Sequence, residues 1–307
     1  MKLLPSLTLA LAFGSELAAA ARKINGAAPF IPRQHANGLP LRESQLLTDT
    51  GVLSIRGGSY EVNRKLIAAT AGASILTLYG AACGLAPDEV VKGYGVKPTP
   101  ELTEQVQNSA LLTCTATSVL WSQLYSKMSL HTAVGLSTIP YVLRSARNIV
   151  TKSHVKLFGG SSAITEFAGM VVSFLAGYAT LAGASFSDVA MKAFAAMLLL
   201  PGIIQYVAPK NTFGDASKKG NQDGGKPGSV RLFNRNYGDN MLINGAFYMA
   251  LALGCDIFQS FAACWFVAAA GMGYMAAMDM PAYEPSLVGP TFGWVVICVL
   301  IATVMSL

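Results

Sequence analysis

The sequence predicts an all-α integral membrane protein of about eight transmembrane helices, arranged as two parallel four-helix units. Three observations carry this. The 307 residues are 52% hydrophobic and only 12% charged, about half the charged share of a soluble domain, with a mean hydropathy of +0.45. Charge-free windows recur at the length needed to cross ~30 Å of hydrocarbon, about 20 residues. The windows of the two halves also match one another in order. The same composition excludes a disordered chain, which needs high charge and low hydrophobicity. It also argues against a water-soluble globule, whose surface these few charges would not cover.

Residues 1–20 read as a signal peptide. Lys2 precedes an apolar run from Leu3 to Phe13, and Leu17 to Ala21 supplies a small-residue cleavage region, with a cut after Ala20 or after Ala12. Residues 21–62 read as a flexible leader. Its first half carries Arg22, Lys23, Arg33 and Arg42 without an acid, and Gly57-Gly58 suits a linker. The basic stretch resembles the second part of a complex-plastid presequence, with Phe13 as the aromatic after the cut. A plain secretory signal followed by a linker fits equally.

The first unit, 63–187, is expected to hold helices at 66–86, 107–126, 129–147 and 164–185; the second, 188–307, at 189–208, 241–261, 263–279 and 289–307. Leu66 to Pro87, Gln105 to Ser126 and Phe167 to Ser187 contain no charge at all, and Lys192 stands near the start of the next apolar stretch. Asn240 to Met278 contains one charge, Asp256. As a single helix it would be about 58 Å long, so it folds into a hairpin, expected at 261–263. Met128 to Leu143 is short and holds His131 and Pro140; it counts as a span through its partner in the second half, Trp265 to Met278.

A shift of 136 positions brings Asn108 onto Asn244, Gln123 onto Gln259 and Gly135 onto Gly271. A shift of 122 brings Gly80 onto Gly202 and Ala86-Pro87 onto Ala208-Pro209, and a shift of 124 brings Gly169 onto Gly293. The changes of shift fall in polar loops, the largest at Asp215 to Pro227, where insertions are tolerated. An even number of helices per unit makes the repeat parallel, about an axis along the membrane normal. A unit of one helix, an Ala-Pro step, a short loop and three further helices closed by a tight hairpin resembles the small four-helix membrane proteins of the DoxX-like kind. The resemblance covers topology and a few small residues. It brings no catalytic motif, and no functional residue is carried over from it.

Loops 87–106, 144–163, 209–240 and 280–288 hold twelve Lys and Arg, against four near the other ends of the helices. The positive-inside rule therefore puts these loops in the cytosol or a plastid stroma. A cleaved signal peptide agrees; Arg64-Lys65 directly before the first span runs against it.

The sequence lacks several chemistries. Its three His (35, 131, 154) have no metal-ligand spacing, and its five Cys (83, 114, 255, 264, 298) all fall in expected spans with no Cys-x-x-Cys. There is no phosphate-binding Gly-rich loop. No metal and no cofactor are expected, enzyme activity is disfavoured without being excluded, and the net charge of +6 reflects loop asymmetry rather than a nucleic-acid surface. The expected partners are the lipid bilayer and other membrane subunits.

Asp256 reads as the one acid inside a span, which marks a functional position by default; placed about a turn before the hairpin, it also reads as merely solvated. Asn108 and Asn244 are the other candidates to line a solute path, or else to bond neighbouring helices. Gln123 and Gln259 read as helix-end caps. Gly72, Gly80 and Gly84 with Ala69, Ala73 and Ala81 form a stripe for close packing, and Pro140 and Pro201 are expected to kink their helices. Two functions follow, binding or passage of a small solute between the units or a structural or assembly role in a larger membrane complex; a membrane-embedded enzyme is a weaker third, disfavoured by the missing nucleophile–base and metal sets.

Overall fold

Apolar windows set which segments are helical, but capping chemistry sets where each helix begins and ends. The computed structural model describes residues 64–126, 128–152, 162–209 and 229–307, within one compact unit that begins at Arg64. The expected signal peptide, leader and Gly/Lys/Asp-rich loop lie outside the described residues.

Helix α1 (Arg64–Leu85) stops at Ala86, and the short α2 (Pro87–Gly93) follows. Helix α3 (Pro100–Tyr125) opens on Thr99, whose hydroxyl accepts from the Leu102 N–H, with Pro100 at its first position. Ser129 is the N-cap of α4 (Leu130–Ser137), and α5 (Ile139–Thr151) follows after a break at Thr138. Pro140 therefore divides the expected 129–147 span into two helices, because it lacks the N–H that a continuous helix needs. Helices α6 (Ser162–Leu181) and α7 (Ser187–Val207) follow, α7 carrying Pro201 inside it. Then come α8 (Ser229–Ala252), α9 (Ile257–Met278), the single turn α10 (Met280–Tyr283), a 3₁₀ turn and α11 (Val288–Ser306). No strand occurs among the described residues.

Two expectations are corrected. The second-half hairpin lies at 253–256, not 261–263, so α8 runs nine to twelve residues earlier than the expected 241–261. Gly254, at φ +86°, ends α8 in a left-handed cap: its N–H bonds Leu251 O and the next N–H, of Cys255, bonds Ala250 O. Asp256 then caps α9. Cys255 consequently sits in the turn rather than in a span. A shift of 136 therefore sets Gln123, near the end of α3, on Gln259, at the start of α9, whereas the N-caps Ser129 and Asp256 are 127 apart.

Five segments are long and apolar enough to cross a membrane: Arg64–Leu85, Ala163–Leu181, Ser187–Val207, Ile257–Met278 and Pro285–Ser306. The chain is a multi-pass membrane protein. Their outward faces carry exposed apolar side chains, among them Phe167, Phe174, Leu200, Ile204 and Leu300. Helices α3 and α8 are more polar and lie inside the bundle. Gln105 bonds Asn234, and Thr115 donates to Asn244 Oδ1 at 3.3 Å. Both contacts join residues 129 apart, so the two helices run parallel, side by side.

Neighbour relations repeat around this pair. Helix α1 packs on α3 as α7 packs on α8; α3 meets α4 as α8 meets α9; α4 and α5 meet α6 as α9 meets α11; and α6 meets α7 as α11 meets α1. The close crossings correspond as well. A Cβ on Gly80 would lie 2.5 Å from Thr113 Oγ1 and 2.6 Å from Cys114 Sγ, and one on Gly202 would lie 3.0 Å from Gly238 O. Ala86 (φ −138°, ψ 53°) and Ala208 (φ −123°, ψ 57°) end α1 and α7 in the same conformation, each held off the helical region by the proline that follows. The half of the bundle away from the long loops is filled by aromatic side chains. Phe194 meets Tyr141 and Tyr248 edge-on at 5.2 and 4.9 Å, and Phe247, Phe261 and Trp265 continue the cluster.

Candidate functional site

The interior polar groups collect along α3 and α8 and toward the helix ends that carry the long loops. A polar residue is tolerated inside a bundle when another helix supplies its partner. Most of these have one. Asn234 Nδ2 donates to Pro209 O at 2.8 Å, and the Thr115 hydroxyl lies 2.9 Å from that of Tyr141. The Ser137 hydroxyl lies 2.7 Å from that of Tyr248, and Trp121 Nε1 donates to Thr77 at 3.0 Å.

Two charge networks flank this seam. In the first, Arg144 on α5 donates through Nε to Asn108 Oδ1 at 2.6 Å and pairs with Glu166 on α6 at 3.3 Å. In the second, Asp279, just after α9, is 4% exposed and takes Arg231 at 2.5 Å together with Arg235. The Arg235 guanidinium also lies over the rings of Tyr206 (5.6 Å) and Tyr274 (5.0 Å), and its Nε donates to Tyr206 O. Ion pairing, hydrogen bonding and ring contact together offset the removal of this arginine from water.

Asp239 has no such support. It lies near the middle of α8, 4% exposed, and its Oδ1 has no hydrogen-bond partner. No Lys or Arg pairs with it among the described residues. The carboxyl rests directly on Gly271 of α9, where a Cβ would fall 1.9 Å from Oδ1. Tyr206 of α7 donates its hydroxyl to Gly271 O at 2.7 Å, which pins α9 beside it. A carboxylate in hydrocarbon costs about 2.5–3.5 kcal/mol on insertion scales, and no cation pairs with Asp239 among the described residues to offset such a cost. Asp239 is thus a buried acid with no cation paired to it among the described residues.

The three residues expected from sequence are placed apart. Asp256 is not inside a span. It is the N-cap of α9, accepting from the Gln259 N–H at 2.8 Å while Gln259 Oε1 accepts from its own N–H at 3.2 Å, a capping box at the hairpin. Gln259 therefore caps as expected, though at a helix start; Gln123 ties its hairpin by donating to Met128 O at 2.5 Å. Asn108 and Asn244 are both buried, Asn108 in the Arg144 network and Asn244 in the seam, about seven residues or 10 Å apart along the axis. Neither lies beside Asp256. Arg144, Glu166, Arg235, Asp239 and Asp279 were not singled out by the sequence, where Arg144 and Arg235 read as loop charges. Among the described residues no group of three or more His, Cys, Asp or Glu is placed to hold a metal. The chain matches no family model, no curated protein and no solved structure.

Proposed function

We propose that this is an eight-span membrane protein of two parallel four-helix units that binds or passes a small solute within the bundle, through the polar α3–α8 seam and the charged layer beside it. The observation that carries this reading is the seam itself: two helices too polar to face lipid meet in parallel at the centre and turn Gln105, Thr115, Asn234 and Asn244 toward each other. The duplication is supported by the matching neighbour relations, the Gly80 and Gly202 crossings and the Ala-Pro ends. Its register is a shift of 122 in the first helices and 127 at the caps of the third. Each unit keeps the helix order that resembles DoxX-like proteins. The loops between the units' helices face the cytosol or a plastid stroma, as their basic residues favour.

Stopped-flow light scattering on proteoliposomes tests the solute reading with four probes: glycerol, glycine, ammonium chloride and potassium phosphate. At least one should enter several-fold faster than into protein-free vesicles, and Asn244→Leu should slow it. Rates equal to those of empty vesicles for all four would favour the second reading, a structural or assembly subunit. That reading has its own support. Asn108 and Asn244 are both engaged in direct bonds between helices, which is what helix-joining residues do.

A further inference from the structure

We propose that Asp239 is a proton-binding site inside the membrane, and that its protonation decides which acid Arg235 serves. This goes beyond the solute reading and does not need it. Three geometric facts meet at this carboxyl. It is buried at mid-helix, its Oδ1 is unpartnered, and it is pressed on Gly271, a residue whose missing side chain makes the room it occupies. Oδ1 of a carboxylate there would have neither a cation nor a protein donor. The neutral acid fits the same space without charge.

The groups around it are few. Helix α7 brings Tyr206, whose hydroxyl is committed to Gly271 O; α9 brings Gly271 and, nearer the loops, Tyr274 and Asp279; α11 brings the Cys298 thiol. The side of α3 that meets α8 brings Gln105 and Thr115, which do not ionise. On α8 itself the cation one turn away is Arg235, four residues earlier and so on the same helix face. In this structure Arg235 is held by Asp279, which also holds Arg231.

That arrangement has two states. With Asp239 protonated, Arg235 stays on Asp279. When water reaches Oδ1, the Asp239 O–H bond breaks, the proton passes to water as hydronium, and the carboxylate left behind draws Arg235 one turn along α8. Asp279 keeps Arg231, so neither acid is left unpaired. Proton release is thereby coupled to the contact between α8 and the loop end of α9.

Infrared spectroscopy of the full chain in lipid nanodiscs reads the site directly. The wild-type protein at neutral pH should show the carbonyl band of a protonated carboxylic acid. Carbon-13 labelling of aspartate carboxyls should shift that band, which identifies its source without any substitution. Asp239→Asn, which has the shape of the neutral acid, should remove the band, and Asp256→Asn should leave it. Asp279→Asn frees Arg235 to pair with Asp239, so the band should be lost there too, whereas Arg235→Met should keep it to more alkaline pH than wild type. No band in the wild type, an unshifted band on labelling, or its survival in Asp239→Asn would overturn the proton site. Retention in Asp279→Asn, or no alkaline shift in Arg235→Met, would overturn the coupling. A failed osmolyte assay bears on the solute reading alone.

Discussion

Gly271→Ala is the sharpest perturbation this bundle offers. The added Cβ would fall 1.9 Å from Asp239 Oδ1, 2.4 Å from its Cγ and 2.6 Å from Oδ2, all well inside van der Waals contact. One methyl group on α9 therefore displaces a carboxyl on α8 that is 4% exposed. The carboxyl must turn away from Gly271, or α9 must retreat and strain the 2.7 Å bond from Tyr206 to Gly271 O. Overpacking of this kind costs about 1–3 kcal/mol. For a bundle of this size each kcal/mol lowers the midpoint by roughly 2–4 °C, so at about 2 kcal/mol thermal unfolding in nanodiscs should move down by roughly 4–8 °C. The double variant Gly271→Ala with Asp239→Ala removes the obstructing carboxyl and should recover most of that loss, giving a coupling of about 1–3 kcal/mol between the two positions. A Gly271→Ala midpoint equal to wild type, or a double variant no more stable than the single one, would refute this placement of Asp239.

Other outcomes follow from the same contacts. Gly80→Val should destabilise by about 1–3 kcal/mol in the same assay, because Thr113 and Cys114 occupy the space its side chain needs. Asp256→Ala should cost about 1 kcal/mol through the lost α9 cap, whereas Asp256→Ser should cost little, and neither should change solute entry. Burial pushes the Tyr94 phenol, in the loop after α2, from its ordinary 10.0 up to about 12. The fold then favours the neutral phenol, so its stability contribution is complete below pH 10 and is lost as pH rises toward 12. Tyr94→Phe, which cannot ionise, should lose less stability than wild type over that interval when midpoints are compared across pH.

The helical passages were legible in the sequence because lipid demands apolar surface, and α1, α6, α7, α9 and α11 face it. Helix α8 was not, because charge-free windows assume that each span meets lipid. Arg231, Arg235 and Asp239 disqualified its first half, although Asp279, Tyr206 and Tyr274 satisfy the two arginines from inside the protein. That partner is 44 residues away from Arg235 in the chain, so no local pattern announces it. The hairpin did have a local signal. Gly254 followed by Asp256-Ile-Phe-Gln259 is a helix stop and a capping box, and the polar and glycine matches at a shift of 136, Gln123 with Gln259 among them, outweighed it. Asp256 consequently read as an intramembrane acid, while Asp239, the buried and unpaired one, read as loop. Gly80 and Gly202 were legible as close-packing positions because a Cβ at either would crowd the neighbouring helix.

Cysteine cross-linking across the seam tests the parallel two-unit arrangement most directly. In the full chain with its five native cysteines replaced, cysteine pairs at Gln105 with Asn234 and at Thr115 with Asn244 should both form disulfides on mild oxidation, since each pair is in contact. The crossed pairs, Gln105 with Asn244 and Thr115 with Asn234, should not, because ten residues of helix, about 15 Å, separate them. Cross-linking of the crossed pairs with failure of the direct ones would mean that α3 and α8 run antiparallel, and would contradict the arrangement on which the proposed seam depends.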